Sequence, residues 1–110
     1  MTMTLGSAPG TVDRAISAAG TTQATATVLP ADHNLVTTAT QDTADGVILR
    51  PGNANEMVTV ANGTSGSIEV FPPVGARFNN QTANLPMVLP PGRGMIAIFQ
   101  NANFIFVIAG

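Results

Sequence analysis

Apolar and polar positions alternate at a period of two along most of this chain, which marks strands that turn one face inward. In residues 56–61, Val58 and Val60 share one face, while Met57 and Thr59 share the other. Residues 67–71 alternate again after the turn-rich stretch 62–67, and this pair is the clearest predicted hairpin. Residues 22–29 and 34–39 are rich in β-branched side chains and are separated by a turn that opens at Pro30. Residues 46–50 predict a short strand closed by Pro51-Gly52. Pro72, Pro73 and Gly75 stop the strand before them, and residues 76–86 predict a loop or a weak edge strand. Residues 85–92 are extended, because each proline fixes φ and is excluded from helix interiors. Two last strands, 94–100 and 103–109, are joined by Asn101-Ala102. In the final one, Phe104, Phe106 and Ile108 face one way and Ile105 and Val107 the other. A strand apolar on both faces is central, or lies between the core and a partner.

Turn signals recur about every ten residues, the grammar of a sandwich or small barrel. The expected fold over residues 21–110 is therefore all-β: an antiparallel β-sandwich or small jelly-roll-like barrel of about seven to eight short strands. No amphipathic helical stretch separates the strands, which excludes a doubly wound α/β fold. Segments 28–36 and 88–96 both run strand, proline turn, strand, but no short repeat of fixed period is present and no solenoid is expected. Residues 1 to about 20 differ from the rest. Gly6, Pro9, Gly10 and Gly20 punctuate them, and no apolar periodicity persists. They predict a flexible or extended N-terminal arm, with a short helical turn over residues 12–19 capped by Thr11. Such an arm is either disordered or laid across a neighbouring subunit.

Composition adds one strong fact. Only 9% of the 110 residues are charged, against about 25% in an average domain, and lysine is absent. Thr, Asn, Ser, Gln and Gly take the place of ions. Hydroxyls and amides are cheaper to desolvate than charges, so much of this surface is expected to be interface. The net charge is −2 and the four arginines are scattered, without Tyr or Trp to stack on bases, which argues against nucleic acid. No segment approaches the ~20 apolar residues of a membrane helix. The N-terminus has neither a basic start nor an apolar run, so the protein is expected to be made and left in a cytoplasm. The length fits one domain, and there are no cysteines.

Candidate chemistry is sparse. His33, the one histidine, sits beside Asp32 in a proline-started turn, where a solvent-facing imidazole is the ordinary reading. Asp42 and Asp45 flank a glycine turn, but their spacing does not match a calcium loop. Pro91-Gly-Arg-Gly94 is followed by neither lysine nor helix, and is better taken as a hairpin turn than as a phosphate cradle. Asn62-Gly-Thr64 and Asn80-Gln-Thr82 serve as turn residues. The expectation is a non-enzyme with no catalytic residues, no metal and no cofactor.

From Thr21 onward the chain runs through Ala31-Asp-His-Asn-Leu-Val-Thr-Thr38, Gly46-Val-Ile-Leu-Arg-Pro51, Val58-Thr-Val-Ala-Asn-Gly63, Ile68-Glu-Val-Phe-Pro-Pro73 and Leu89-Pro-Pro-Gly92 to a closing aromatic strand. This resembles small tailed-bacteriophage virion structural proteins, above all capsid decoration (cement) proteins. Members often close their last strand with Trp or Tyr, whereas this chain has Phe104 and Phe106. The resemblance implies a homo-oligomer, a trimer first, that binds the major capsid protein and stabilises the lattice at the capsid surface of the virion. It implies partner contacts along the arm, at Thr11, Val12, Arg14 and Ile16. The apolar strands 95–99 and 104–108 are expected to be core first, with Phe104 and Phe106 as candidates for an oligomer contact. A tail fibre or baseplate module shares the same grammar. A carbohydrate-binding β module would need an aromatic platform or converging acids, which the sequence does not supply.

Overall fold

Inward-facing residues recur at every second position in each long strand, and two sheets close over them. The computed structural model describes residues 10–39 and 45–110, and within these the chain is all-β, with ten strands and no helix. The first six strands alternate between the sheets. β1 (Val12–Ala18), β3 (His33–Ala39) and β5 (Met57–Asn62) pair in parallel in one sheet. β2 (Thr27–Val28), β4 (Gly46–Ile48) and β6 (Ile68–Phe71) pair in parallel in the other. Each odd strand and the even strand after it make one turn of a flattened coil, so three coils stack in a solenoid-like arrangement.

The direction then reverses. After β7 (Arg77–Phe78), β8 (Met87–Leu89) runs antiparallel to β6, and β9 (Gly94–Asn101) runs antiparallel to β5. β10 (Phe104–Ala109) folds back on β9 and pairs in parallel with β7. The six-stranded sheet has the order β1-β3-β5-β9-β10-β7, and the four-stranded sheet β2-β4-β6-β8.

One core fills the space between the sheets. The six-stranded sheet sends in the cross-strand row Val58, Ala97, Val107, and beside it Val60, Met95, Phe99 and Ile105. Val47, Ile68, Val70 and Leu89 answer from the other sheet, with Phe78 and Phe99 the largest fully buried side chains. Two buried asparagines hold the corners where the chain changes sheet. Asn34 Nδ2 donates to the carbonyls of Ala31 (2.8 Å) and Thr59 (3.2 Å), while its Oδ1 accepts from the Ala31 amide (3.1 Å). Asn62 Nδ2 donates to the carbonyls of Gly66 (2.8 Å) and Leu89 (2.9 Å), which joins the β5 corner to the end of β8. Buried amides persist only when paired, and each of these side chains stands in for the hydrogen bonds a corner cannot make to a neighbouring strand. At Gly20 the corner after β1 takes φ +81°, and an added Cβ would lie 2.3 Å from the Thr25 carbonyl oxygen, so only glycine fits.

Several expectations are corrected. The antiparallel sandwich or jelly-roll gives way to parallel coils with an antiparallel return. Residues 56–61 and 67–71 are not a hairpin, because β5 and β6 lie in different sheets. Pro91-Gly-Arg-Gly94 is likewise a corner between β8 and β9 rather than a hairpin turn. The helical turn over residues 12–19 is strand: β1 pairs with β3 and buries Ile16 and Ala18 at spacing two, so sheet pairing overrides local preference. That strand lies within the stretch expected to be an arm, whose residues 1–9 fall outside the described residues. The solenoid-like winding escapes a search for repeats because its coils differ in length. Val12 pairs with His33 and His33 with Thr59, steps of 21 and 26 residues, while Thr27 pairs with Val47 and Val47 with Val70, steps of 20 and 23.

Candidate functional site

The same alternation that fills the core leaves a second set of apolar side chains on the outside of the six-stranded sheet. Cross-strand registers arrange them in three rows over β5, β9 and β10. Met57, Ile98 and Phe106 form one row; Thr59, Ile96 and Ile108 form the next. Ala61 and Gly94 continue to Gly110, which exchanges backbone hydrogen bonds with Gly94 at 3.0 and 3.2 Å. Phe106 is 46% and Ile108 53% exposed, and Met57 and Ile96 are exposed beside them. No side chain at these nine positions carries a charge. The absence of side chains at Gly94 and Gly110 leaves a hollow of about 380 Å³ next to the ridge, bordered by Thr59, Ala61, Ile96 and Ile108. Singly exposed apolar groups are common on any surface; here they are contiguous and no charged side chain interrupts them.

Polar groups gather at the margin of this face. His33 Nδ1 lies 3.0 Å from Thr59 Oγ1. Asp32 Oδ2 accepts from the Thr11 amide (3.1 Å), and Thr11 Oγ1 accepts from the Asp32 amide (3.0 Å). Asp32 Oδ1 takes Arg50 as its ion-pair partner. The Thr11 amide, followed by Arg50, holds the Asp32 carboxyl below the usual carboxylate range. Asp32 is therefore committed to Thr11 and Arg50, and the arrangement staples the start of β1 to the corner before β3. Among the described residues no group of three or more His, Asp or Glu side chains is placed to hold a metal ion. Asp42 of the calcium-like loop lies outside them, and Asp45 is buried before β4. No helix among the described residues is long and apolar enough to cross a membrane.

The expected partner residues scatter across this geometry. Thr11, Val12 and Arg14 are exposed at the β1 edge, on the far side of the sheet from β10. Ile16 is 4% exposed and belongs to the core, so its side chain cannot meet a partner. Phe104 is half-buried beneath the Arg77 guanidinium, 5.2 Å from ring centroid to Cζ, which gives that ring a partner within the chain. Phe106 stands on the apolar face, in its first row at the β10 side. Sequence reasoning missed Met57 and the hollow at Gly94 and Gly110, and took the strands that hold Ile96, Ile98 and Ile108 for core first and an oligomer contact second. Their signal was present in strands apolar at both phases, but only the pairing of β5, β9 and β10 gathers them into one surface. No protein-family model, no curated protein and no solved structure matches the chain.

Proposed function

We propose that this chain is a structural subunit of a virion, acting as a capsid decoration protein that binds and stabilises the lattice as a homo-oligomer. The observation that carries this reading is the charge-free apolar outer face of β5, β9 and β10, centred on Ile96, Phe106 and Ile108. Fully burying a side chain such as Phe or Ile is worth roughly 1.5–3 kcal/mol, and these are about half exposed in the isolated fold, so covering the patch recovers several kcal/mol. The chain-wide scarcity of charge supports the same reading, since few ions need to be desolvated wherever the subunit is packed. The resemblance of the motif string to phage decoration proteins supplies the virion and the major capsid protein as partner. A tail fibre or baseplate module would use the same face at another location. Sugar binding has less behind it, because one exposed phenyl ring makes no platform.

Immunogold labelling of intact particles with an antibody to the β domain tests the assignment. Regular labelling of the capsid surface is the expected result. Label confined to the tail would replace the decoration role with a tail one, and unlabelled particles would refute a virion role.

A further inference from the structure

We propose that the outer face of the six-stranded sheet closes on the same face of a second copy, about a two-fold axis that crosses the strands over the Ile96–Ile108 row. This rests on the reading of the chain as an assembly subunit, and it names the occupant of the face. The third row is the small one: Ala61, Gly94 and Gly110 lie beyond the side chains of Thr59, Ile96 and Ile108 in the middle row and of Met57, Ile98 and Phe106 in the first. Neighbouring rows are two residues apart along the strands, roughly 7 Å. A half-turn about an in-plane axis over the middle row keeps the strand order and exchanges the outer rows. Phe106 then lies over Gly110 of the partner subunit, Ile98 over Gly94 of the partner subunit, and Met57 over Ala61 of the partner subunit. Ridge meets hollow twice, and Ile96 and Ile108 of both copies meet at the axis.

The face is thus complementary to itself, as a two-fold interface requires. The side chains at its nine positions carry no charge, so pairing two copies brings no charged side chains together at the contact. A partner of different sequence would have to supply the same ridge at the same spacing, which a second copy has already. Sheet twist of about 20–25° per strand concentrates the fit on β9 and its two neighbours. The patch then spans roughly 10 by 14 Å between strand axes, well below the ~800 Å² per partner of a standard stable interface. The pair is therefore expected to dissociate on dilution, and its mass must be followed across a concentration series.

Light scattering on a sizing column should give a mass rising with concentration toward twice 11.2 kDa. Gly94→Leu fills the hollow from within. A Cβ there meets only the Val60 carbonyl oxygen, at an ordinary 3.5 Å, so the fold should survive, as circular dichroism would verify. Gly110→Leu, whose Cβ meets nothing within 4 Å, is the second such variant. Each should weaken pairing at least tenfold. A third probe uses the absence of cysteine from the chain. Facing sheets lie ~10 Å apart, beyond the ~7 Å reach of a disulfide, so a short bis-maleimide should join Ile108→Cys chains in pairs. It should leave Val28→Cys, exposed on the other sheet, as single chains. The proposal is overturned by a monomer at every concentration, by a mass of three copies, or by folded Gly94→Leu and Gly110→Leu variants that pair as well as wild type. Particle labelling is independent of solution mass, so a monomer that still decorates particles overturns the pairing and leaves the virion reading intact.

Discussion

Replacing Asn62 with alanine removes four hydrogen bonds from a side chain that is 2% exposed. Two are donated by Nδ2 to the carbonyls of Gly66 and Leu89, at 2.8 and 2.9 Å. Two are accepted by Oδ1 from the Thr64 amide and hydroxyl, at 2.9 and 2.7 Å. The Gly66 carbonyl keeps a partner, because Thr64 Oγ1 also donates to it at 2.9 Å. The Leu89 carbonyl and the Thr64 amide are left without Asn62. An orphaned buried polar group costs about 1–3 kcal/mol, and Thr64 is only half-buried, so water offsets part of its share. The expected loss is about 2–3 kcal/mol, and for a domain of this length that lowers Tm by roughly 10 °C. Thermal melting followed by circular dichroism, at matched protein concentration, measures it. Thr64→Val is the comparison: it removes one hydroxyl donor while the asparagine keeps its bonds to Gly66 and Leu89, and should cost about 1 kcal/mol. A fall below about 1 kcal/mol for Asn62→Ala would refute the claim that this asparagine joins the β5 corner to the end of β8.

Asp32→Asn should cost under about 1 kcal/mol at neutral pH, since its pair with Arg50 is partly exposed. Because folding lowers the Asp32 pKa, the ionised carboxylate contributes stability above its unfolded value, near ~3.9, and loses it as pH falls through the folded value. The variant should therefore show a shallower loss of stability below about pH 4, and an unchanged acid limb in pH-dependent melting would refute the linkage. Gly20→Ala should destabilise more than Gly75→Ala. Both glycines have positive φ, but only the first would place its Cβ against backbone, 2.3 Å from the Thr25 carbonyl oxygen. Equal urea midpoints for the two variants would refute that difference. Ile105→Ala, fully buried in β10, should cost about 2–4 kcal/mol by chemical denaturation, and a cost near zero would deny β10 its place in the core.

How much of this was legible in the sequence depends on which property is asked about. Period-two alternation located β5, β6, β9 and β10 and separated the two faces of the last strand without saying which turns inward; Ile105 and Val107 are buried, and Phe106 and Ile108 lie outside. Direction was not legible. Gly, Asn and Pro turn a chain equally well into a hairpin or around a coil corner, so Asn62 to the start of β6 looked like a hairpin loop. Coil lengths that vary from 20 to 26 residues erase the fixed period by which solenoids are recognised. The glycine-rich start concealed β1, whose Arg14 and Ala15 lie where the pairing with β3 shifts register. For the candidate surface, Phe106 was named with Phe104 as a partner candidate within strands taken first for core, and it stands on the outer face, whereas Ile16, read as part of the arm, is buried. The hollow was illegible, because Gly94 and Gly110 are 16 positions apart and only the β9–β10 hairpin makes them neighbours.

The claim that the apolar outer face is covered in the assembled particle can be put to its most direct test with two methionines. Met57 is 44% exposed on that face, whereas Met95 is 3% exposed in the core and serves as an internal reference. Assembled particles would be given a brief pulse of peroxide, and oxidation at each methionine would be read by mass spectrometry. Met57 should be protected in particles to nearly the level of Met95, and become reactive once the protein is released and diluted. Oxidation of Met57 at the same fast rate in particles and in dilute solution would contradict the account.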